Sequence, residues 1–116
     1  MRLLPLLILF CAGCSGSSAP PLFDVGSAAT VSGTVVTINV EAMAVDGDGV
    51  ITLETGDGST ARIFVAARMM LCEAEGLDLI GELAPGDHIE VSGDAVGGTN
   101  VRPCESETHY IRRVEG

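Results

Sequence analysis

The residues of this sequence that could do chemistry are concentrated in one short motif, DGDG at 46–49. Alternating carboxylates are typical of calcium loops of the EF-hand type, in which a glutamate at the twelfth position completes the site. With the last glycine of the motif at the invariant sixth position, Asp46 and Asp48 occupy the third and fifth positions. Ala44 and Thr55 then occupy the first and twelfth, so both end ligands are missing. A metal site at Asp46 and Asp48 is therefore an alternative prediction, and no cofactor is expected.

The same motif resembles the active-site strands of staphylococcal-nuclease-type OB domains. In that family a DGD motif and an apolar strand precede an arginine on the third strand, and Asp48 and Arg62 stand at matching separations. The resemblance implies metal binding for Asp48 and stabilisation of phosphate charge for Arg62. Ala67 and Met70 replace the further carboxylates, which the family needs to bind the metal and to activate water. We therefore expect no nuclease activity and no catalytic residues.

Two cysteines in the second half of the chain, Cys72 and Cys104, predict a disulfide if the protein is exported. Closing a loop of this length stabilises a domain by about 3.7 kcal/mol on the chain-entropy estimate. A metal site of these cysteines with His88 and His109 is the rival interpretation. No Cys-x-x-Cys or His-x3-His spacing supports that rival.

The charge of the chain excludes several partners. Sixteen Asp and Glu stand against six Arg and no Lys, which gives a formal net charge of −10. Such a surface repels nucleic-acid backbones and anionic lipid headgroups. With no Trp, one Tyr and three Phe, the chain also lacks aromatic residues for stacking bases. The expected partner is an envelope protein or a small ligand.

The first residues have the pattern of an export signal: Arg2, then an apolar run over 3–10, then small residues. The sequence CAGC at 11–14 resembles the lipobox of bacterial lipoproteins, which implies acylation of Cys14 and a lipid anchor in the membrane. Ser15, where Asp would retain the protein at the inner membrane, favours the periplasmic face of the outer membrane. Ordinary cleavage near 17–19, which would discard Cys14, is the alternative. The predicted parts are a signal peptide 1–13, an acylated cysteine and tether 14–29, and a domain 30–116. Docking of Phe23 on the domain is the alternative to its place in the tether.

From residue 30 the apolar pattern has the period of two that predicts β-strands. Its parity switches within the first strand, which predicts a β-bulge. The first set comprises Val31, Gly33 and Val35, and the second Val36, Ile38, Val40, Ala42 and Ala44. The glycine-rich segments at 46–49 and 56–59 predict hairpin turns, because Asp-Gly readily adopts positive φ. This simpler interpretation of DGDG needs no ligand.

The second half of the domain predicts one helix and two further strands. Leu77, Ile80 and Leu83 recur at helical spacing within 68–87. A fourth strand follows at 88–93, then a loop at 95–104 and a last strand at about 108–115. Three strands, a short helix and two strands make an all-β, five-stranded Greek-key OB-like barrel.

Together these patterns predict a non-catalytic envelope lipoprotein, with an OB-like module that binds a protein or small ligand at the membrane surface. A degenerate nuclease-like or cation-binding OB domain is one alternative. A structural envelope component without a ligand is another.

Overall fold

The computed structural model describes residues 23–115 as an all-β domain. The strands are β1 (Ala28–Asn39), β2 (Gly49–Thr55), β3 (Thr60–Val65), β4 (His88–Gly97), β5 (Asn100–Arg102) and β6 (Tyr110–Arg113). The helices of this part of the chain are short 3₁₀ turns at Glu41–Val45, Met69–Leu71 and Leu77–Gly81. None of them has the length and apolar character needed to cross a bilayer.

The strands close into a barrel with the order β1-β2-β3-β5-β4, which returns to β1 through the β1–β4 pairing. All pairings of the barrel are antiparallel except that of β3 with β5, where Ile63 faces Val101. β6 is an additional strand. It pairs with residues 89–92 of β4, next to the segment of β4 that pairs with β5. The predicted five-stranded OB-like barrel is confirmed.

The closure of the barrel depends on a bend in β1. Its first half pairs with β4 and its second half with β2, and Gly33 has a partner in each of them, Ile89 and Thr55. A β-carbon at Gly33 would lie 2.5 Å from the backbone oxygen of Glu54, so only glycine fits there. The predicted bulge is present as a register shift between Val35 and Thr37.

The core consists of aliphatic side chains that point inward from the strands and from the β3–β4 connection. Alternation along β2, β3 and β4 places every second residue in this core. The fully enclosed large side chains are Ile51, Leu53, Ile63, Ile89, Val35, Val65, Val91, Val101 and Pro103. Because these residues are mostly β-branched, they suit a pleated, closely packed barrel wall.

The strand predicted to continue as far as Ala44 ends earlier. β1 stops at Asn39, whose side-chain Oδ1 accepts the N–H of Glu41, and the chain then forms the 3₁₀ turn Glu41–Val45. The alternation of alanines at 42 and 44 is therefore not a strand signal. Val36, predicted to point inward, is 48% exposed because it is the extra residue of the bulge. DGDG thus ends a longer connection and is not a two-residue hairpin.

The predicted helix between the third and fourth strands is formed as 3₁₀ turns. Leu77, Ile80 and Leu83 are buried, so the predicted inward face is correct. Their spacing of three residues matches the period of a 3₁₀ helix, whereas an α-helix has 3.6 residues per turn. The chain then turns at Pro85 and Gly86, where the φ of Gly86 is 101°.

The segment predicted as a loop at 95–104 completes the barrel. β4 continues to Gly97, turns through Gly98 and returns as β5. The last strand of the chain was predicted to close the barrel, but among the described strands β6 pairs only with β4, and its Ile111 packs into the core. Three residues of β5 are too short a run to be recognised by alternation.

Cys72 and Cys104 are joined by a disulfide, with their Cα atoms 4.5 Å apart. The backbone carbonyl of Cys104 accepts the N–H groups of Glu73 and Ala74 at 2.7 and 3.1 Å. The N–H of Glu75 donates a hydrogen bond to the backbone carbonyl of His109 at 3.0 Å. The bridge therefore joins two segments that already lie side by side at the edge of the barrel.

The ordered domain begins before the predicted boundary at residue 30. Phe23 packs against the core, and its N–H donates to Gly98 at 3.1 Å. Gly26 donates to Ala95 at 2.8 Å. Residues 23–29 therefore belong to the domain, although they were predicted as tether. Cys14 and the signal peptide lie outside the described residues.

Candidate functional site

The two carboxylates of DGDG lie at the start of β2 and each faces an arginine. Asp46, held at a positive φ of 66°, forms an exposed ion pair with Arg68 at 3.4 Å. Asp48 accepts a hydrogen bond from Arg102 of β5 and is about two-thirds buried. A cation at this motif would have to displace guanidinium groups that already neutralise both carboxylates.

Arg62, the second residue of the nuclease resemblance, points outward from β3. It pairs across the sheet with Thr52, and its backbone N–H donates to the side chain of Asn100 at 3.0 Å. Within residues 23–115 it is the one arginine without an ion pair. Asp48 therefore forms its ion pair with Arg102 and not with Arg62. Ala67 and Met70 follow β3 without supplying any charge.

The rival metal site of two cysteines and two histidines is not assembled. The sulfur atoms are bonded to each other, and within the described range no three His, Cys, Asp or Glu side chains come together as ligands. His109 is buried, and its Nδ1 accepts the N–H groups of Cys104 and Ser106 at 3.1 and 3.3 Å. Its Nε2 lies 3.5 Å from Asp94. This histidine anchors the disulfide loop to β4.

The turn between β2 and β3 is organised around Asp57, as its glycine-rich sequence predicts. The carboxylate accepts hydrogen bonds from the Ser59 hydroxyl, from the Thr55 hydroxyl and from the N–H of Ser59. These bonds, the Ser59 hydroxyl first, lower the pKa of Asp57 from 3.8 to about 2. The turn therefore carries a fixed negative charge, and its hydrogen bonds lie within the turn.

A second charged cluster lies on the outer side of β4 and β6. The Tyr110 hydroxyl donates to Glu90, and Arg112 also donates to Glu90 at 2.9 Å while lying over the Tyr110 ring at 4.9 Å. The Tyr110 hydrogen bond lowers the pKa of Glu90, with help from Arg112. The same bond raises the pKa of Tyr110. The polar groups of Tyr110, Glu90 and Arg112 therefore pair with one another.

One end of the barrel exposes large apolar side chains, and we call it the apolar end. It comprises Val45, Met70 and Leu71, which are 81%, 89% and 72% exposed. The ion pair between Asp46 and Arg68 joins the segments that carry them. The sequence pattern does not indicate this surface, because Met70 stands there only as a replacement for a catalytic carboxylate.

A polar groove lies at the bend of β1, and we call it the bend groove. It has a volume of about 460 Å³ and lies between the end of β2 and the start of β4. Its polar lining consists of Ser32, Thr34, Glu54, Thr55, His88 and Glu115. No sequence pattern indicates this groove, because its residues come from distant parts of the chain and are brought together only by the strand order.

Comparison with known proteins gives no match: no protein-family model fits the chain, and no curated protein or solved structure is significantly similar to it. The function must therefore be argued from these surfaces.

Proposed function

We propose that the protein is a non-catalytic lipoprotein of the bacterial cell envelope, anchored through Cys14, whose barrel binds an envelope protein through the apolar end. The observation that carries this proposal is the exposure of Val45, Met70 and Leu71 on one end of a closed barrel. Apolar side chains exposed together on a small acidic domain are characteristic of interaction sites. Methionine is well suited to such surfaces because its flexible thioether adapts to a partner.

The apolar end is held in place by its neighbours, which favours recognition. Leu71 and Cys72 donate their N–H groups to Arg68 and Met69, both at 2.9 Å, and Cys72 is fixed by the disulfide. Arg68 in turn pairs with Asp46. A surface that is already ordered loses little conformational entropy on binding.

The position of the apolar end favours a protein over the anchoring membrane. The chain joins the barrel at Phe23, which lines a small cavity with Thr55 and Asp57 at the far end of β2. The apolar end flanks the other end of β2 and β3. Seven residues of strand separate the two ends by about 20 Å. The described domain therefore begins, at Phe23, at the opposite end of the barrel from Met70.

Charge defines the partner further. Glu41 and Glu73 are exposed beside the apolar segments, and neither forms an ion pair in the described part of the chain. The whole chain carries a formal charge of −10. We expect the partner to present an apolar pocket surrounded by basic residues. Such charge complementarity speeds association and suppresses binding to acidic surfaces.

Site-specific crosslinking tests the docking surface. A photo-crosslinking amino acid in place of Met70 is activated in intact cells, and the same amino acid in place of Val96 serves as the control. Val96 is also apolar and exposed, but it lies near Gly97 at the other end of the barrel. We expect a defined protein adduct from position 70 only. The adduct should be lost in a Leu71→Asp background and weakened by Glu73→Lys.

Three other results would contradict the docking proposal. They are adducts with lipid, adducts with a second copy of the chain, or equal protein adducts from both positions.

Mass spectrometry of the purified protein tests the anchor separately. We expect a mature chain that begins at an acylated Cys14, and a Cys14→Ser variant that is released from the membrane fraction. An unmodified mature N-terminus after residue 19 would refute the anchor and leave the docking surface untouched.

A further inference from the structure

We infer that the bend groove is a second binding site, separate from the apolar end, and that it takes a small organic di- or polyamine. The site is formed by residues of β1, the end of β2, the start of β4 and the C-terminal residues after β6. It requires neither the lipid anchor nor the protein partner.

The groove exists because β1 changes partners at Gly33. On one side of this residue β1 follows β4, and on the other it follows β2, so the two neighbouring strands diverge. Because Gly33 has no side chain, the backbone of Glu54 can approach β1 closely at this bend. The groove is therefore a consequence of closing the barrel and is present without a ligand.

The walls of the groove offer hydrogen-bond acceptors and negative charge. Glu54 and Glu115 are exposed carboxylates, and neither has an ion-pair partner among residues 23–115. Ser32, Thr34 and Thr55 add hydroxyl groups. No arginine lines the groove, although two lie on nearby β6.

His88 is held in a position where it can contact a ligand. Its Nδ1 lies 3.0 Å from the Thr34 hydroxyl, which fixes the orientation of the ring. Nε2 has no hydrogen-bond partner in the described structure, so it remains available to an incoming group. In the tautomer whose Nδ1–H donates to Thr34, Nε2 has a lone pair that can accept a hydrogen bond from an ammonium group.

These features favour an organic cation over an anion or a bare metal ion. Anions are repelled by both carboxylates and by the charge of the whole chain. A bare metal ion would need three or more converging ligands, and the described residues hold no such group. A di- or polyamine carries several N–H donors on a flexible apolar chain, and its size suits a groove of about 460 Å³.

Calorimetric titration of the full-length, detergent-solubilised protein with spermidine at low ionic strength tests the site. We expect saturable one-site binding, and chemical-shift changes in the NMR spectrum centred on Thr34 and His88. Glu54→Gln should weaken the affinity about fivefold, because exposed charge pairs contribute up to about 1 kcal/mol. Ser32→Arg, which places a cation in the groove, should abolish binding.

Matched controls separate this site from general attraction to an acidic protein. Glu105→Gln removes the same charge from an exposed residue outside the groove and should leave the affinity unchanged. Leu71→Asp should also leave it unchanged, since the apolar end is a different surface. Equal weakening by Glu105→Gln and Glu54→Gln would overturn the proposal. So would a lack of saturation at millimolar spermidine, or displacement of spermidine by equimolar calcium.

Discussion

Asp57 shows how a single exposed carboxylate can be committed to local structure. Three hydrogen bonds from Ser59 and Thr55 hold its pKa at about 2, below the 3.8 of a free side chain. Because the folded pKa is the lower one, the charged form stabilises the folded state. This contribution is complete above about pH 4 and is lost as the pH falls through 2.

The variant Asp57→Asn should therefore flatten the acid side of the stability profile. Urea denaturation at pH 7, 4, 3 and 2 should show a smaller loss of unfolding free energy between pH 4 and 2 than in the wild type. Asp78→Asn, which removes a charge from the 3₁₀ turn Leu77–Gly81, provides the control and should retain the wild-type slope. An unchanged slope in Asp57→Asn would contradict this assignment.

The Tyr110 hydroxyl is expected to control the ionisation of Glu90. In Tyr110→Phe the pKa of Glu90 should rise towards its usual value, because the largest cause of its lowering is removed. NMR titration of the Glu90 side-chain carboxyl carbon measures this directly. Arg112→Gln should also raise the pKa of Glu90, since Arg112 lowers it through its charge and its hydrogen bond. An unchanged Glu90 pKa in Tyr110→Phe would contradict this assignment.

The ion pair of Asp48 gives an expectation about calcium. Since Arg102 already satisfies this carboxylate, the wild-type protein should show no calcium binding in the micromolar range by calorimetry. Arg102→Gln removes the guanidinium partner of Asp48 and should strengthen calcium binding. Micromolar binding by the wild type that is abolished by Asp48→Ala would restore the cation-binding alternative.

Sequence reasoning about individual residues succeeded where the chemistry is local. The turn at Asp57 followed from its composition, and the disulfide partners from counting the cysteines that remain if the protein is exported. The partner of Asp48 could not be predicted, because Arg102 lies 54 residues away and on β5, a strand that was not recognised. The bend groove was missed for the same reason: its walls meet only when β1 pairs with both β2 and β4.

Among the secondary-structure elements, β1 carries the most specific constraint. Gly33→Ala would place a β-carbon 2.5 Å from the Glu54 backbone oxygen, and the rigid backbone of β2 cannot yield easily. We expect a loss of about 1–3 kcal/mol of unfolding free energy, as is typical of overpacking. Gly81→Ala is the matched control, because a β-carbon there meets nothing within 4 Å. Denaturant midpoints of the two variants should differ clearly.

The predictability of each element depended on its length and its alternation. β2, β3 and β4 have buried residues at every second position, and all three were located from that pattern. The 3₁₀ turn Leu77–Gly81 was predicted as a helix, because buried residues three apart suit both kinds of helix. β5 has one buried residue in three, which leaves no period to detect.

At the scale of the whole domain, the disulfide supplements a core with few aromatic residues. Replacement of Cys72 and Cys104 by alanine together should lower the unfolding free energy by about 3–4 kcal/mol on the loop-entropy estimate. Single replacements would leave a free thiol, so the double variant is the appropriate one. Equilibrium denaturation with and without reductant checks the value. If reductant still lowers the unfolding free energy of the double variant, the disulfide is not the cause of that effect.

The place of β1 in the barrel also has a mechanical consequence. A force applied at Phe23 acts on the start of β1, which pairs with β4 over one half and with β2 over the other. Such a force runs along these strands and loads their hydrogen bonds together, in shear. The domain should therefore resist stretching more strongly from its N-terminus than from its C-terminus, where β6 pairs with β4 through only four residue pairs. Single-molecule pulling from the two ends would compare these forces.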